Sequence, residues 1–254
     1  MTTPTPNAET PKLHAFLARA GVASRRKAEE MILEGKVKVN GEVGTIGQRI
    51  NPKKDKIQVE GKFISQPEET VVYLINKPVG VISTTSDELG RQNVVQFLQK
   101  EVGPQTKLPR LYPVGRLDQD SQGLMILTNN GTLAQEMSHP SFETEKTYHV
   151  TVDGHPTEKA LSHLERGVLL KEGMTAPAQV EVLQSGNNNT TLAITIHEGR
   201  YHQVKRMLLR VGYDVTKLVR VQMGPYRLED LEGKTWKKVS EESFASANAN
   251  SALD

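Results

Sequence analysis

Apolar residues recur in this chain with two periods. Near the N-terminus the period is helical: Leu13, Phe16, Leu17 and Ala20 fall at i, i+3, i+4 and i+7, and Gly21 stops the pattern. Pro11 suits the first turn of that helix. A second helix starts from Ser24 as N-cap, buries Ala28, Met31 and Ile32, and ends at Gly35. Residues 36–43 (KVKVNGEV) then alternate into an Asn-Gly pair, which predicts a hairpin.

Past residue 70 most of the pattern has period two. A strand is expected from 70 to 75, with Asn76-Lys77-Pro78-Val79-Gly80 turning into another at Val81. The run 123–127 (GLMIL), closed by Asn129, Asn130 and Gly131, reads as a strand buried on both faces. Residues 145–152 (EKTYHVTV) alternate, placing Lys146, Tyr148 and Val150 on one face and Thr147, His149 and Thr151 on the other. Residues 180–183 and 190–196 form a hairpin around a polar loop, and 218–223 (LVRVQM) closes the strand set. Helices are expected at 93–100, 132–138, 156–167 and 200–211, the last with Val204, Met207, Leu208 and Val211 as its buried stripe. Strands outnumber helices without regular βαβ alternation. The fold class is therefore α+β, on a mostly antiparallel sheet.

These elements divide the 254 residues into a small module at 12–60, a linker at 61–69 and a larger domain at 70–240. Residues 1–11 and 241–254, rich in Pro, Thr, Asn, Ala and Ser, are expected to be disordered tails. Cysteine is absent, which excludes disulfide and thiol chemistry. The apolar runs fall far short of the roughly 20 residues of a membrane span. The N-terminus has neither a basic nor an apolar signal region, so the expectation is a cytoplasmic protein without membrane attachment.

The formal net charge is only +2, but its distribution is uneven. Residues 12–40 carry seven Lys or Arg against three Glu, and a second basic cluster runs from Arg200 to Arg220. Clustered positive charge is the footprint of a polyanion. Arg25, Arg26 and Lys27 stand in the first turn of the second helix, where cations oppose the helix dipole by a few tenths of a kcal/mol each. Phosphate binding would explain them; a solvated basic face is the plainer reading.

Candidate chemistry concentrates at 115–121. Arg116, Asp118 and Asp120 precede the apolar strand, where charges are costly unless water or a substrate faces them. Residue types leave two readings, a cleft or a structural Arg116–Asp118 ion pair. Several other chemistries lack their motifs. The His197–His202 spacing does not fit a helical two-histidine zinc site, so no metal is assigned, and neither a phosphate loop nor a Gly-x-Ser-x-Gly elbow is present. An ionised carboxylate beside cations can act as a nucleophile, and Tyr148 offers a flat face for an unstacked base. Singly, Tyr148 also suits a core aromatic and Lys205 a solvated helix face.

The segment LARAGVASRRKAEEMILEGKVKVNG resembles the S4-like RNA-binding module. The segments NKPVGV, GRLDQDSQGLMILTNNG, EKTYHV and EGRYHQVKRML, in that order, resemble the pseudouridine synthases of the ribosomal small-subunit type (the RsuA/RluB/RluE/RluF group). That resemblance implies an RNA uridine isomerase acting on ribosomal RNA without cofactor or metal, as a monomer. It implies Asp118 as the catalytic aspartate, Tyr148 as the stacking tyrosine, Lys205 as the paired base and Arg116 as a positioning residue. RNA contacts are expected from Arg25, Arg26, Lys27, Lys36, Lys38, Arg200 and Arg206. Where other members have Arg-Asn-Arg, this chain has Arg200-Tyr201-His202. The wording around Asp118 and Tyr148 leans toward members acting on large-subunit RNA, whereas GRYHQVKRM leans toward the small-subunit and remaining members. The alternative is a non-catalytic RNA-binding or ribosome-assembly protein of the same fold.

Overall fold

The structure, a computed structural model, describes residues 10–64 and 69–239. The chain divides into two compact units, Met1–Glu69 and Thr70–Asp254. Most of the two expected tails, and residues 65–68 of the expected linker, lie outside the described residues.

The first unit packs helices α1 (Leu13–Arg19) and α2 (Arg25–Leu33) on a sheet of β1 (Val37–Val39), β2 (Glu42–Val43), β3 (Ile57–Val59) and β4 (Lys62–Phe63). The strands run in the order β2-β1-β3-β4. Ser24 caps α2 by accepting from the Lys27 backbone N–H at 3.2 Å. Leu13, Leu17, Ala28, Val37, Ile50 and Ile57 fill the core between the layers.

Three details differ from the sequence reading. Pro11 lies ahead of α1 rather than in its first turn, because Lys12 is the N-cap. Thr10 and Pro11, assigned to the tail, are tied down: the Thr10 carbonyl accepts from Arg49 at 2.8 Å and that of Pro11 from the Ile50 amide at 3.0 Å. The linker also begins later than residue 61, since β4 occupies part of it. Its turn is Glu60-Gly61 with φ 50° and 81°, matching Asn40-Gly41 with φ 54° and 93°. Glutamate seldom adopts the left-handed region, so that hairpin carries no turn signal.

The second unit comprises β5 (Val72–Lys77), α3 (Val94–Val102), β6 (Tyr112–Val114), β7 (Gln122–Thr128), α4 (Gly131–Ser138), β8 (Lys146–Asp153) and α5 (Glu158–Arg166). It continues through β9 (Leu169–Leu170), β10 (Gly173–Met174), β11 (Gln179–Ser185), β12 (Asn189–Ile196) and α6 (Gln203–Arg210). Strands β13 (Val215–Met223), β14 (Tyr226–Arg227) and β15 (Trp236–Val239) complete it. The main sheet runs β11-β12-β8-β13-β7-β5-β15, with β14 added to β13 and β6 to β7. Every pairing in it is antiparallel except β13 with β7.

Strands β5 and β7 lie between two cores. Tyr73, Ile75, Met125 and Leu127 face one, with Phe97 and Leu98 of α3; Val72, Leu74, Leu124 and Ile126 face the other, with Leu133 and Met137 of α4. That is why their sequence is uniformly apolar rather than alternating. Helices α3 and α4 start where Asn93 and Asn130 accept backbone N–H bonds from their first turns. The strand expected at Val81 shrinks to one bridge, Ile82 with Asn93. Helix α6 begins three residues later than expected, because residues 200–202 form a turn with His202 at φ 48°.

The single parallel pairing puts Gly123 beside Arg220, and Arg220 in turn opposite Tyr148. Gly123 has φ 110°, and a Cβ there would run into the Arg220 backbone. Replacement by alanine should therefore force the two strands apart and lower stability by at least about 2 kcal/mol. Gly154→Ala, with φ 76° and open space around it, should cost only the backbone strain of about 1 kcal/mol. Urea denaturation of the two variants checks this order.

Candidate active site

The loop between β6 and β7 is held by contacts to its backbone. Ser83, which is buried, donates to the Leu117 carbonyl at 2.6 Å and accepts from the Leu117 amide at 3.0 Å. The Gly80 amide donates to the Gln119 carbonyl at 2.8 Å, and Lys77 Nζ to that of Ser121 at 2.7 Å. From β13, Arg220 Nε donates to the Leu124 carbonyl at 2.8 Å, and its guanidinium reaches the Arg116 carbonyl at 3.5 Å. A loop tied at this many points presents Asp118 from a fixed backbone.

Asp118 sits on the wall of a cavity of about 380 Å³. Its Oδ1 lies 3.2 Å from His202 Nε2 and its Oδ2 lies 3.5 Å from Lys205 Nζ. Lys205 also meets Asp120 Oδ1 at 2.5 Å, and that bond holds the Asp120 carboxyl below its usual range. Among the described residues no ion pair joins Arg116 to Asp118; the partners of the aspartate come from α6 and the turn before it. Arg116 is exposed and lines the same cavity. Tyr148 lines it as well, while belonging to the larger core cluster. It is thus a core aromatic that also faces the cavity.

Three buried cations gather here: Lys146 and Arg220 in the cavity wall itself, and Lys77 close to Asp118 and Asp120. Lys77, Lys146 and Arg220 are 0%, 8% and 1% exposed. They bond to backbone carbonyls: Lys77 to Pro78 and Ser121, Lys146 to Thr144 and His197, Arg220 to Leu124 and Arg116. One guanidinium nitrogen of Arg220, Nη2, is buried without a partner among the described residues. Burial pushes Lys77 down to about 8, against the pull of Asp118 and Asp120. Burial and the nearby Arg220 bring Lys146 to about 8 as well. The result is a cavity backed by positive charge, complementary to an anionic ligand.

The sequence-predicted residues separate into three groups. Asp118, Tyr148, Lys205, Arg116 and Arg200 converge on the cavity. Arg200 and Arg206 are engaged internally: Arg200 bonds Glu198 and the carbonyls of Gly173 and Met174, and Arg206 makes a two-pronged pair with Glu172, at 3.1 and 2.6 Å. Both thereby fasten the β9–β10 hairpin to α6 and the turn ahead of it. Arg25, Arg26, Lys27, Lys36 and Lys38 are exposed on the first unit, where Lys27 and Lys36 pair with Glu30 and Glu34 at 2.8 and 2.7 Å. Exposed pairs of that kind are weak, because water screens them, and they yield readily to phosphate.

Reasoning from sequence missed His202, Lys77, Lys146 and Arg220. For Arg220 a signal existed, because it shares its alternation parity with the buried Leu218. Lys77 ends an apolar run and was assigned to a turn, yet it holds an inward position of β5.

The first unit, a helix pair on a small sheet with exposed cations, and the second, whose cavity sets a carboxylate among cations, both suit a polyanionic ligand. Residues 71–210 match the model of the RNA pseudouridylate synthase family, and residues 12–57 match the S4 domain. The chain is 45% identical to the "Ribosomal large subunit pseudouridine synthase B" of Bacillus subtilis, over 87% of this chain and 88% of that protein. It is 38% identical to the "Ribosomal large subunit pseudouridine synthase E" of Vibrio vulnificus, over 80% and 90%. A solved structure described as "Crystal structure of pseudouridylate synthase" matches 93% of this chain and 99% of its own, with 30% identity and TM-score 0.63. The chain belongs to the RNA pseudouridylate synthase family, and it is an RNA pseudouridine synthase carrying an S4 domain.

The buried lysines give stability a pH dependence of definite sign. Folded, Lys77 and Lys146 lose their protons near pH 8; unfolded, they do so near 10.5. Below about 8 both states are protonated and the full burial cost is present; between about 8 and 10.5 the unfolded chain holds more protons, so stability rises with pH. In Lys146→Met that rise should flatten by about 1 kcal/mol per pH unit. Urea titrations across this range check it, and an unchanged slope would show that Lys146 stays charged when folded.

Proposed function

We propose that this enzyme converts a uridine of ribosomal RNA to pseudouridine, with large-subunit RNA favoured, Asp118 as nucleophile and Tyr148 as the platform for the flipped base. The observation that carries the chemistry is the Asp118 carboxylate, gripped one oxygen each by His202 and Lys205 on a cavity wall shared with Tyr148. Favouring the large subunit rests on the names of the Bacillus and Vibrio relatives.

The reaction keeps every atom. The uridine leaves its stack at a cost of a few kcal/mol, which stacking on Tyr148 and phosphate contacts offset. Asp118 acts at the sugar as the N-glycosidic bond breaks; the uracil turns within the pocket and rejoins C1′ through C5. Cations in and behind the cavity wall stabilise the negative charge that the departing uracil carries. Arg116, exposed at the rim, meets the RNA backbone vacated by the flipped nucleotide. Arg25, Arg26, Lys27, Lys36 and Lys38 bind phosphates of folded RNA through the S4 domain.

Asp118→Asn should lower pseudouridine formation by on the order of 10⁴-fold while RNA affinity stays within a few-fold. Full activity in that variant would remove the aspartate from the mechanism. Alanine at Arg25, Arg26 and Lys27 together should weaken binding and cut the log–log salt slope by about 2 to 3, as three lost phosphate contacts require. An unaltered slope would mean that these cations touch no phosphate. Mapping pseudouridine in both ribosomal RNAs of a deletion strain identifies the target, and a lost site outside the large subunit would refute that part of the assignment.

A further inference from the structure

The cavity that holds Asp118 continues past its rim. Tyr201, 72% exposed, lines it and stacks on His202 with ring centroids 3.9 Å apart and planes 16° from parallel. The imidazole covers one face of the phenol ring and leaves the other to solvent. The Tyr201 carbonyl accepts from Arg206 Nη1 at 3.0 Å. Arg206 is in turn a wall of a second, more open depression of about 550 Å³, shared by Leu169, Leu170 and Lys171 with Leu209 and Arg210 of α6.

Nothing in the packing of the second unit accounts for what this depression displays. Leu169, Met174 and Leu209 are 55%, 59% and 61% exposed, and Leu169 lies directly opposite Met174 in the β9–β10 hairpin, so the two share a face. Apolar side chains gathered in water mark an interaction surface. Lys171 and Arg210 stand exposed beside them, and their side chains make no hydrogen bond or ion pair among the described residues. Arg206, by contrast, is committed to Glu172, which fastens the hairpin to α6. A fixed apolar floor, two uncommitted cations and an aromatic face in line with them suit unpaired nucleotides. Their bases stack on apolar and aromatic faces while their phosphates seek cations. An acidic protein segment would suit the cations and the floor, but it would leave the continuity with the Asp118 cavity unexplained.

We propose that Tyr201 and the depression along α6 bind the nucleotides next to the target uridine on the same RNA strand, held unpaired. One base lies on the open face of Tyr201 and the next on Leu169 and Leu209, with their phosphates at Lys171 and Arg210. This rests on the reading that the uridine is flipped into the cavity beside Tyr148. A nucleotide seated there keeps its covalent neighbour within one backbone unit of the rim, where Tyr201 stands. Restacking that neighbour on Tyr201 offsets part of the cost of flipping. The target is therefore a uridine with an unpaired neighbour, in a loop or bulge rather than inside a continuous duplex.

The test uses a synthetic RNA spanning the mapped target, with an abasic nucleotide placed in turn on either side of the uridine. Binding is followed by fluorescence anisotropy and pseudouridine formation by steady-state kinetics. Tyr201→Ala should weaken binding by about 10-fold and raise KM more than it lowers kcat, and Tyr201→Phe should restore both. One of the two abasic RNAs should cost the parent enzyme about the same factor and cost Tyr201→Ala nothing further. If Tyr201 only holds His202 in place, the two losses multiply, and that outcome overturns the proposal. Lys171→Ala combined with Arg210→Ala should cut the log–log salt slope of binding by about 1.4, as two lost single-strand phosphate contacts require. An unchanged slope would overturn the proposal as well. Should the double variant convert the naked RNA like the parent but fail on the same site in ribosomal particles, the depression serves an acidic protein partner and the proposal falls. The binding measurements need no turnover, so full activity of Asp118→Asn would remove the nucleophile assignment without altering the result for Tyr201 and the abasic RNAs.

Discussion

Arg220 is surrounded by protein at the one place where the sheet of the second unit turns parallel. Its guanidinium reaches across to the start of β7 and to the loop that bears Asp118, while its backbone lies against Gly123 on one side and Tyr148 on the other. A buried cation needs hydrogen-bond acceptors, and here they are main-chain carbonyls that must stay in place. That requirement fixes the loop relative to β8, and hence the aspartate relative to the tyrosine. Lys77 repeats the arrangement from β5 through the Ser121 carbonyl. Burying positive charge has a structural consequence, a fixed backbone beneath Asp118, and an electrostatic one, a cavity suited to an anionic ligand.

The second unit separates this polar region from its stability. Two apolar cores on opposite faces of β5 and β7 hold the sheet, and helices α3 and α4 cover one face each. The charged groups gather at the ends of those strands, beside the loops and the start of α6. Most of the polar side chains that line the cavity are thus mounted on elements held by apolar packing, with Tyr148 belonging to both.

Much of the fold was legible in the sequence, for reasons that can be named. The doubly buried β7 announced itself as an apolar run, β8 by alternation, α2 by Ser24 at its N-cap, and α3 and α4 by the helical spacing of Val94, Phe97 and Leu98 and of Leu133, Ala134 and Met137. Signals failed where backbone geometry came from unusual residues: Glu60 in a left-handed turn, or His202 at the start of α6. They also failed for strands of two or three residues, such as β6, β9 and β14, which take their shape from neighbours rather than from their own pattern. Asp118, Tyr148 and Lys205 were reached through resemblance, and the structure places them on one cavity. Lys77, Lys146 and Arg220 were overlooked because charged residues are read as exposed by default, and these three are buried by tertiary contacts that composition does not encode.

Among the described residues of the second unit, the main sheet ends in β11 on one side and β15 on the other. Strand β15 (Trp236–Val239) is an edge whose sequence, Trp-Lys-Lys-Val, places adjacent lysines where a neighbouring molecule would have to dock. At the opposite edge, β11 has a register irregularity against β12 between Val182 and Gln184, and it leaves polar Gln179, Glu181 and Gln184 in water. Charge on one margin and a kink on the other both discourage strand-to-strand addition. Unpaired strand margins are where chains add to one another, so the residues placed there govern the tendency of a sheet this wide to associate.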